Sequence, residues 1–133
     1  MKIKAAVTPS KGANFEIREI ELQEPKANEV LVRVVASGVC HTDMAGRDED
    51  TTPLPAVLGH EGAGVIEKVG DGVEGFEEGD HVVMSYAHCG QCEQCLTGHP
   101  ATCHYMGPMN FGGQAQDGTC LLYTSDAADD TPC

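Results

Sequence analysis

An all-β, partly open barrel is the fold class that the sequence predicts. Three observations carry it. Apolar residues alternate over short segments, Gly and Asp-Gly steps punctuate them, and little of the chain has a helical period. The 133 residues suffice for one domain with a modest core, and are too few for a catalytic domain plus a separate dinucleotide-binding domain.

Residues 2–7 alternate and predict a first strand. Residues 15–22 alternate with one slip (Phe15, Ile17, Ile20, Leu22) and predict a second. A polar connector, 25–29, leads to a Val- and Leu-rich run over 30–36, expected as a strand with both faces largely buried. Gly38 breaks that run. A short helical turn is expected over 40–46, capped by Thr42 or Asp43, followed by an irregular loop over 48–55. Residues 62–69 form the next strand, with small residues where something packs closely. Asp71-Gly72 is a turn, and Gly79-Asp80 leads into a strand over 81–86. From Ala87 onward apolar periodicity stops and cysteine takes over.

The charge balance narrows the function. With 8 Lys and Arg against 21 Asp and Glu, the formal net charge is −13. Nucleic acid and anionic membrane are poor partners for such a chain, because phosphate is held by clustered cations. The acid is spread out, as at Glu16, Glu19, Glu21 and Glu24, and reads as a solvated surface. No apolar stretch is long enough to span a bilayer, and the N-terminus has neither a long apolar segment nor a cleavage site. A cytoplasmic location is expected. Seven cysteines in that setting point to metal before disulfides.

Cys89, Cys92, Cys95 and Cys103 lie within fifteen positions, the first three spaced by three. Four thiolates in one loop can surround a single ion, and Cys₄ is the closed arrangement of a structural zinc site. Gly90 and Gly98 allow the tight turns between ligands. A redox CxxC pair fits this spacing poorly, whereas an iron–sulfur cluster also takes four cysteines and stays open as an alternative. His88, His99 and His104 flank the cluster. With four sulfurs present they are read as surface or supporting groups.

A second constellation is sparser. Cys40 follows the buried run in Gly38-Val39-Cys40-His41-Thr42-Asp43, and His60 stands twenty positions later in Gly59-His60-Glu61-Gly62-Ala63-Gly64. Each is set at a strand end. A catalytic zinc uses three protein ligands and leaves a position open, and Cys40 with His60 supplies two. Asp43 is a suitable acceptor for the other N–H of a ligating histidine. Spacing alone leaves this site undecided. Gly62-Ala63-Gly64 is not a dinucleotide loop, and no G-x-G-x-x-G opening a helix occurs.

Taken together these segments resemble the zinc-dependent alcohol dehydrogenases of the medium-chain dehydrogenase/reductase superfamily. The stretch from Gly59-His60-Glu61 through Gly64 and Gly70 to Val73 matches the family's zinc signature at every defined position. Gly38 to Asp43 resembles its first ligand motif, Gly79-Asp80-His81-Val82 the strand before its zinc lobe, and Cys89, Cys92, Cys95 and Cys103 the lobe itself. Phe111-Gly112-Gly113 and Asp117-Gly118-Thr119 resemble aryl-alcohol dehydrogenases.

The resemblance implies a GroES-like β-barrel over 1–119 with a Cys₄ zinc lobe at 87–105. A Rossmann domain binding NAD or NADP would follow and is absent from these residues. It also implies that Cys40 and His60 ligate a catalytic zinc and that Glu61 lies beside the metal as an occasional ligand. Thr42 would accept the substrate's proton into a relay, His41 would face the cofactor pyrophosphate, and Asp43 would orient His60. The expected reaction takes small primary alcohols, aromatic ones among them, to aldehydes by hydride transfer to a nicotinamide. Family members are usually homodimers or homotetramers. The third catalytic ligand, usually Cys, is not supplied by residues 120–133. That tail, Cys120-Leu121-Leu122-Tyr123-Thr124-Ser125-Asp126 onward, departs from the family and resembles the translation of a sequencing adapter. This polypeptide alone is therefore expected to be inactive. Two competing readings are a standalone zinc-binding β module and a metal-free sibling reductase. The ligand set counts against the second.

Overall fold

Alternation builds the first strand. In β1 (Lys2–Thr8), Ile3 and Ala5 are half-buried and Val7 is fully buried, while Lys2 and Lys4 face solvent. The computed structural model describes residues 1–110. Strand β1 pairs antiparallel with β2 (Glu16–Glu21) on one side and with the two-residue β4 (Ala56–Val57) on the other. The order β2-β1-β4 makes one sheet, and β3 (Val30–Ser37), β5 (Gly62–Val69) and β6 (His81–Val83) make a second in the order β3-β5-β6. Among the described residues all pairings are antiparallel, neither sheet closes on itself, and helix is confined to short pieces, so the mainly β, open arrangement agrees with the sequence.

Among the described residues the buried apolar core is small: Val7, Leu31, Ala56, Ile66, Val82, Ala87 and Cys103. Strand β3 corrects an expectation. Only Leu31 is buried, and Val34 and Val35 are 54% and 67% exposed. As the edge of its sheet, β3 is hydrogen-bonded to β5 alone, and no layer of the described residues covers these valines. The strand at 81–86 is also shorter than expected, and β4 lies just beyond the expected loop, in a stretch too short to show a period.

Close backbone approach explains the small residues of β5. A Cβ on Gly64 would lie 2.5 Å from the Arg33 carbonyl oxygen and 2.6 Å from Val32 Cγ1, so the β3–β5 contact requires glycine there.

Three strand ends converge to make a site. Ser37, at the end of β3, is in register with Gly62, at the start of β5, and the Gly38 N–H donates to the Glu61 carbonyl at 2.9 Å to extend the ladder. On the far side of β5, the Met84 N–H donates to the Gly62 carbonyl at 2.8 Å, carrying β6 toward the same corner. Helix α1 (His41–Asp48) begins there. Its cap is Cys40, not Thr42 or Asp43. The Cys40 sulfur accepts from the Thr42 N–H, and Asp43, three residues on, reaches back to the Cys40 N–H as a capping box. The helix is longer than expected. Its last turn is pinned by the Gly12 N–H on the Arg47 carbonyl at 2.9 Å and by the Arg47 guanidinium 5.8 Å from the Phe15 ring centroid.

Among the described residues, no helix is long and apolar enough to cross a membrane. The family-like segments Phe111-Gly112-Gly113 and Asp117-Gly118-Thr119, the 119 boundary and the tail at 120–133 lie outside the described residues.

Candidate metal centres

The cysteine lobe starts where β6 ends. Its regular pieces among the described residues are helix α2 (Glu93–Leu96) and a 3₁₀ turn (Pro100–Thr102), and helix α3 (Met106–Asn110) follows directly at its C-terminal end. Gly90 and Gly98 take φ of 66° and 81°, left-handed values that turn the chain between ligands. The result gathers Cys89, Cys92, Cys95 and Cys103, whose sulfurs all lie within 4.8 Å of one another. Cys92 Sγ is 3.5 Å from Cys95 Sγ and 4.0 Å from Cys103 Sγ, and Cys89 Sγ is 3.9 Å from Cys95 Sγ. Tetrahedral zinc with Zn–S bonds of about 2.3 Å separates its sulfurs by about 3.8 Å. The four thiols thus fit one ion. An iron–sulfur cluster, several atoms across, would need them spread apart.

Backbone donors prepare these sulfurs for negative charge. The N–H groups of Cys92 and Gln91 point at Cys89 Sγ at 3.3 and 3.5 Å, and those of Cys89 and Tyr105 at Cys103 Sγ, both at 3.4 Å. Backbone N–H groups of Cys95 and His104 lower the Cys92 thiol to about 6. The Cys89 N–H lowers Cys103 in the same way. Burial, with the hydrogen bond to Cys92, pushes Cys95 up to about 12. Without a cation, a crowded set of thiols ionises only in part. His99 and His104 are exposed and His88 is half-buried, and none belongs to the four-sulfur group.

The second centre is the corner between β3, β5 and α1. Cys40 Sγ lies 3.0 Å from His60 Nε2. On the other side of the ring, His60 Nδ1 lies 3.3 Å from Asp43 Oδ1. The carboxylate of Asp43 is 6% exposed, and its second oxygen accepts from the Cys40 N–H at 2.8 Å. This network assigns the proton of His60 to Nδ1 and leaves the Nε2 lone pair facing the Cys40 sulfur. Asp43 belongs to the same three-residue cluster, yet its oxygens are turned to Nδ1 and to the backbone. Two donors converge, and the third residue orients them.

Glu61 is 48% exposed, with Oε1 3.8 Å from His60 Nε2. A side chain at Gly38 would collide with that carboxylate, so glycine clears its place. His41 and Thr42 are exposed on the first turn of α1, beside Cys40.

One neighbour was not read from the sequence. The Tyr86 ring stacks on His60 with centroids 5.4 Å apart and planes 14° from parallel. Burial raises the Tyr86 phenol above its ordinary value, and the charges of Cys40, Asp43 and Glu61 raise it further. It therefore remains neutral at physiological pH. No local pattern in the sequence signals a stack between side chains on two separate strand approaches, one before β5 and one after β6.

Comparison with known proteins agrees with this architecture. Residues 26–124 match the alcohol dehydrogenase GroES-like domain. Geraniol dehydrogenase of Castellaniella defragrans is 47% identical over 120 residues, covering 90% of this chain and 32% of that protein. A solved alcohol dehydrogenase zinc-binding domain protein from Burkholderia ambifaria superposes with a TM-score of 0.85 at 49% identity, over 91% of this chain and 33% of that one. Benzyl alcohol dehydrogenase from Acinetobacter calcoaceticus gives 0.85 at 50% identity, over 96% and 35%. The chain spans about a third of the length of the relatives it matches. From fold, metal-ready geometry and sequence together, the chain belongs to the alcohol dehydrogenase GroES-like domain family.

Proposed function

We propose that this chain is the zinc-carrying portion of a zinc-dependent alcohol dehydrogenase that oxidises primary alcohols, aromatic ones among them, to aldehydes with NAD or NADP. The observation that carries it is the Cys40 Sγ to His60 Nε2 approach at 3.0 Å, with Asp43 holding the far ring nitrogen. Cys40 and His60 would hold the catalytic zinc with a third ligand from outside the described residues, and Glu61 would stand beside it. Cys89, Cys92, Cys95 and Cys103 would hold the structural zinc. When bound in the open site, zinc supplies Lewis acidity that makes a hydroxyl proton easier to lose.

The chain's own residues do the rest. Asp43 holds Nδ1 of His60 and so turns Nε2 toward Cys40. Tyr86 covers one face of that imidazole. Thr42, on the exposed first turn of α1, would take the substrate's proton outward, and His41 beside it would meet the cofactor's pyrophosphate. The names of two relatives, geraniol and benzyl alcohol dehydrogenase, support a primary allylic or aromatic alcohol as substrate. A cytoplasmic location and a homodimeric or homotetrameric whole enzyme belong to the same reading.

Two measurements test it. The 133-residue chain should hold close to one chelator-resistant zinc, in the Cys₄ lobe, and should oxidise no alcohol by itself. Two tightly held ions, or turnover, would contradict this. Residues 1–110 exchanged into benzyl alcohol dehydrogenase should give an active chimera that Cys40→Ser inactivates. A chimera indifferent to Cys40→Ser would leave only a zinc-binding β module.

A further inference from the structure

The two ends of the cysteine lobe are tied together by one side chain. Asn110 Oδ1 accepts from the Ala87 N–H at 2.7 Å, and Asn110 Nδ2 donates to the Ala87 carbonyl at 2.9 Å. Its primary amide thus imitates a strand neighbour, using both backbone groups of a residue 23 positions away. The same Nδ2 donates to the Met106 carbonyl at 2.9 Å. The Met106 N–H in turn donates to the Cys103 carbonyl at 3.0 Å. A continuous path therefore runs from Ala87 through Asn110 and α3 to Cys103. Ala87 sits two residues before Cys89 and is only 7% exposed, so water cannot easily replace Asn110 as its partner.

We propose that Asn110 is the clasp of the lobe, a positioning residue that keeps Cys103 against Cys89 and slows the loss of the metal held there. The proposal rests on the Cys₄ zinc reading. Cys89, Cys92 and Cys95 lie on one short arc, and the fourth ligand is reached only by closing a loop, which costs chain entropy. Metal leaves when that loop opens. The clasp opposes opening at the loop's base, next to the point where the Cys89 N–H meets Cys103 Sγ at 3.4 Å.

The test uses the zinc-loaded full chain mixed with excess chromophoric chelator. Asn110→Ala should transfer its zinc about tenfold faster than wild type, the effect of losing about one net buried hydrogen bond or slightly more. Asn110→Asp should be at least as fast, because it sets a carboxylate oxygen against the Ala87 and Met106 carbonyls. Thr97→Ala, which removes lobe hydrogen bonds to Glu93 and Gln94 without touching the base, should stay within about twofold. Wild-type transfer by Asn110→Ala, or equal acceleration by Thr97→Ala, overturns the clasp. Hydrogen exchange at Ala87 is independent of variant folding. Protection is expected in wild type, and exchange at the free-peptide rate overturns the proposal. A wild-type chain without zinc would instead sink the metal reading, while Ala87 exchange still reports on the clasp.

Discussion

At the scale of residues, the two centres differ in what sets them. The four cysteines of the lobe are local, and their chemistry follows from spacing and two glycine turns. Cys92→Ser should reduce bound zinc from about one ion per chain to near none and lower the melting temperature by at least roughly 10 °C. Unchanged zinc content and melting, by metal analysis and calorimetry, would refute the ligand assignment. The thiols also fix a proton balance. At pH 7 Cys92, lowered to about 6, is mostly thiolate, and Cys95, raised to about 12, is thiol. Binding needs thiolates, so loading at pH 7 should release at least about one proton per ion; affinity should therefore already fall as pH drops through 7, and more steeply once Cys92 protonates below about pH 6. An indicator dye in weak buffer reads the release, and zinc uptake without it would argue for other ligands. Cys40 and His60 are different. Their contact depends on strand register, which spacing does not encode, so only likeness to a family drew them together beforehand. The stack of Tyr86 and the clasp of Asn110 had no such guide.

At the scale of elements, pairing governs. The β3–β5 ladder places Ser37 beside Gly62 and thereby Cys40 beside His60. Gly64→Ala should cost about 1–3 kcal/mol, because the new methyl meets the rigid Arg33 carbonyl. Gly107→Ala, in the open on α3, serves as the control and should be neutral or slightly stabilising. Denaturant midpoints compare them, and equal midpoints would mean that the strands can part without loss. Strand positions were legible because alternation and Gly punctuation are local signals. Their burial was not. Val34 and Val35 belong to a run that reads as interior, yet among the described residues both are exposed, because burial is set by neighbouring layers and not by the run itself. The cap of α1 was misplaced for a related reason: cysteine rarely caps helices, and Cys40 does so because Asp43 secures its backbone.

For the whole molecule, the open architecture was legible from many short strands and little helix. The extent of the core was not, since burial is a property of the assembled layers. The exposed flank of β3 has a consequence for handling the protein. Among the described residues β3 is an edge strand, and its run Val30-Leu31-Val32-Arg33-Val34-Val35 is a template for intermolecular β-pairing in which Arg33, paired with Glu67 at 3.1 Å, is the one charge. Arg33→Val should therefore lower the concentration at which the chain precipitates by severalfold, visible in light scattering, while Arg33→Lys should not. Equal solubility of the three proteins would show that the edge is already shielded. If only Arg33→Val loses solubility, positive charge at this point serves as a gatekeeper against aggregation, a duty separate from metal or substrate.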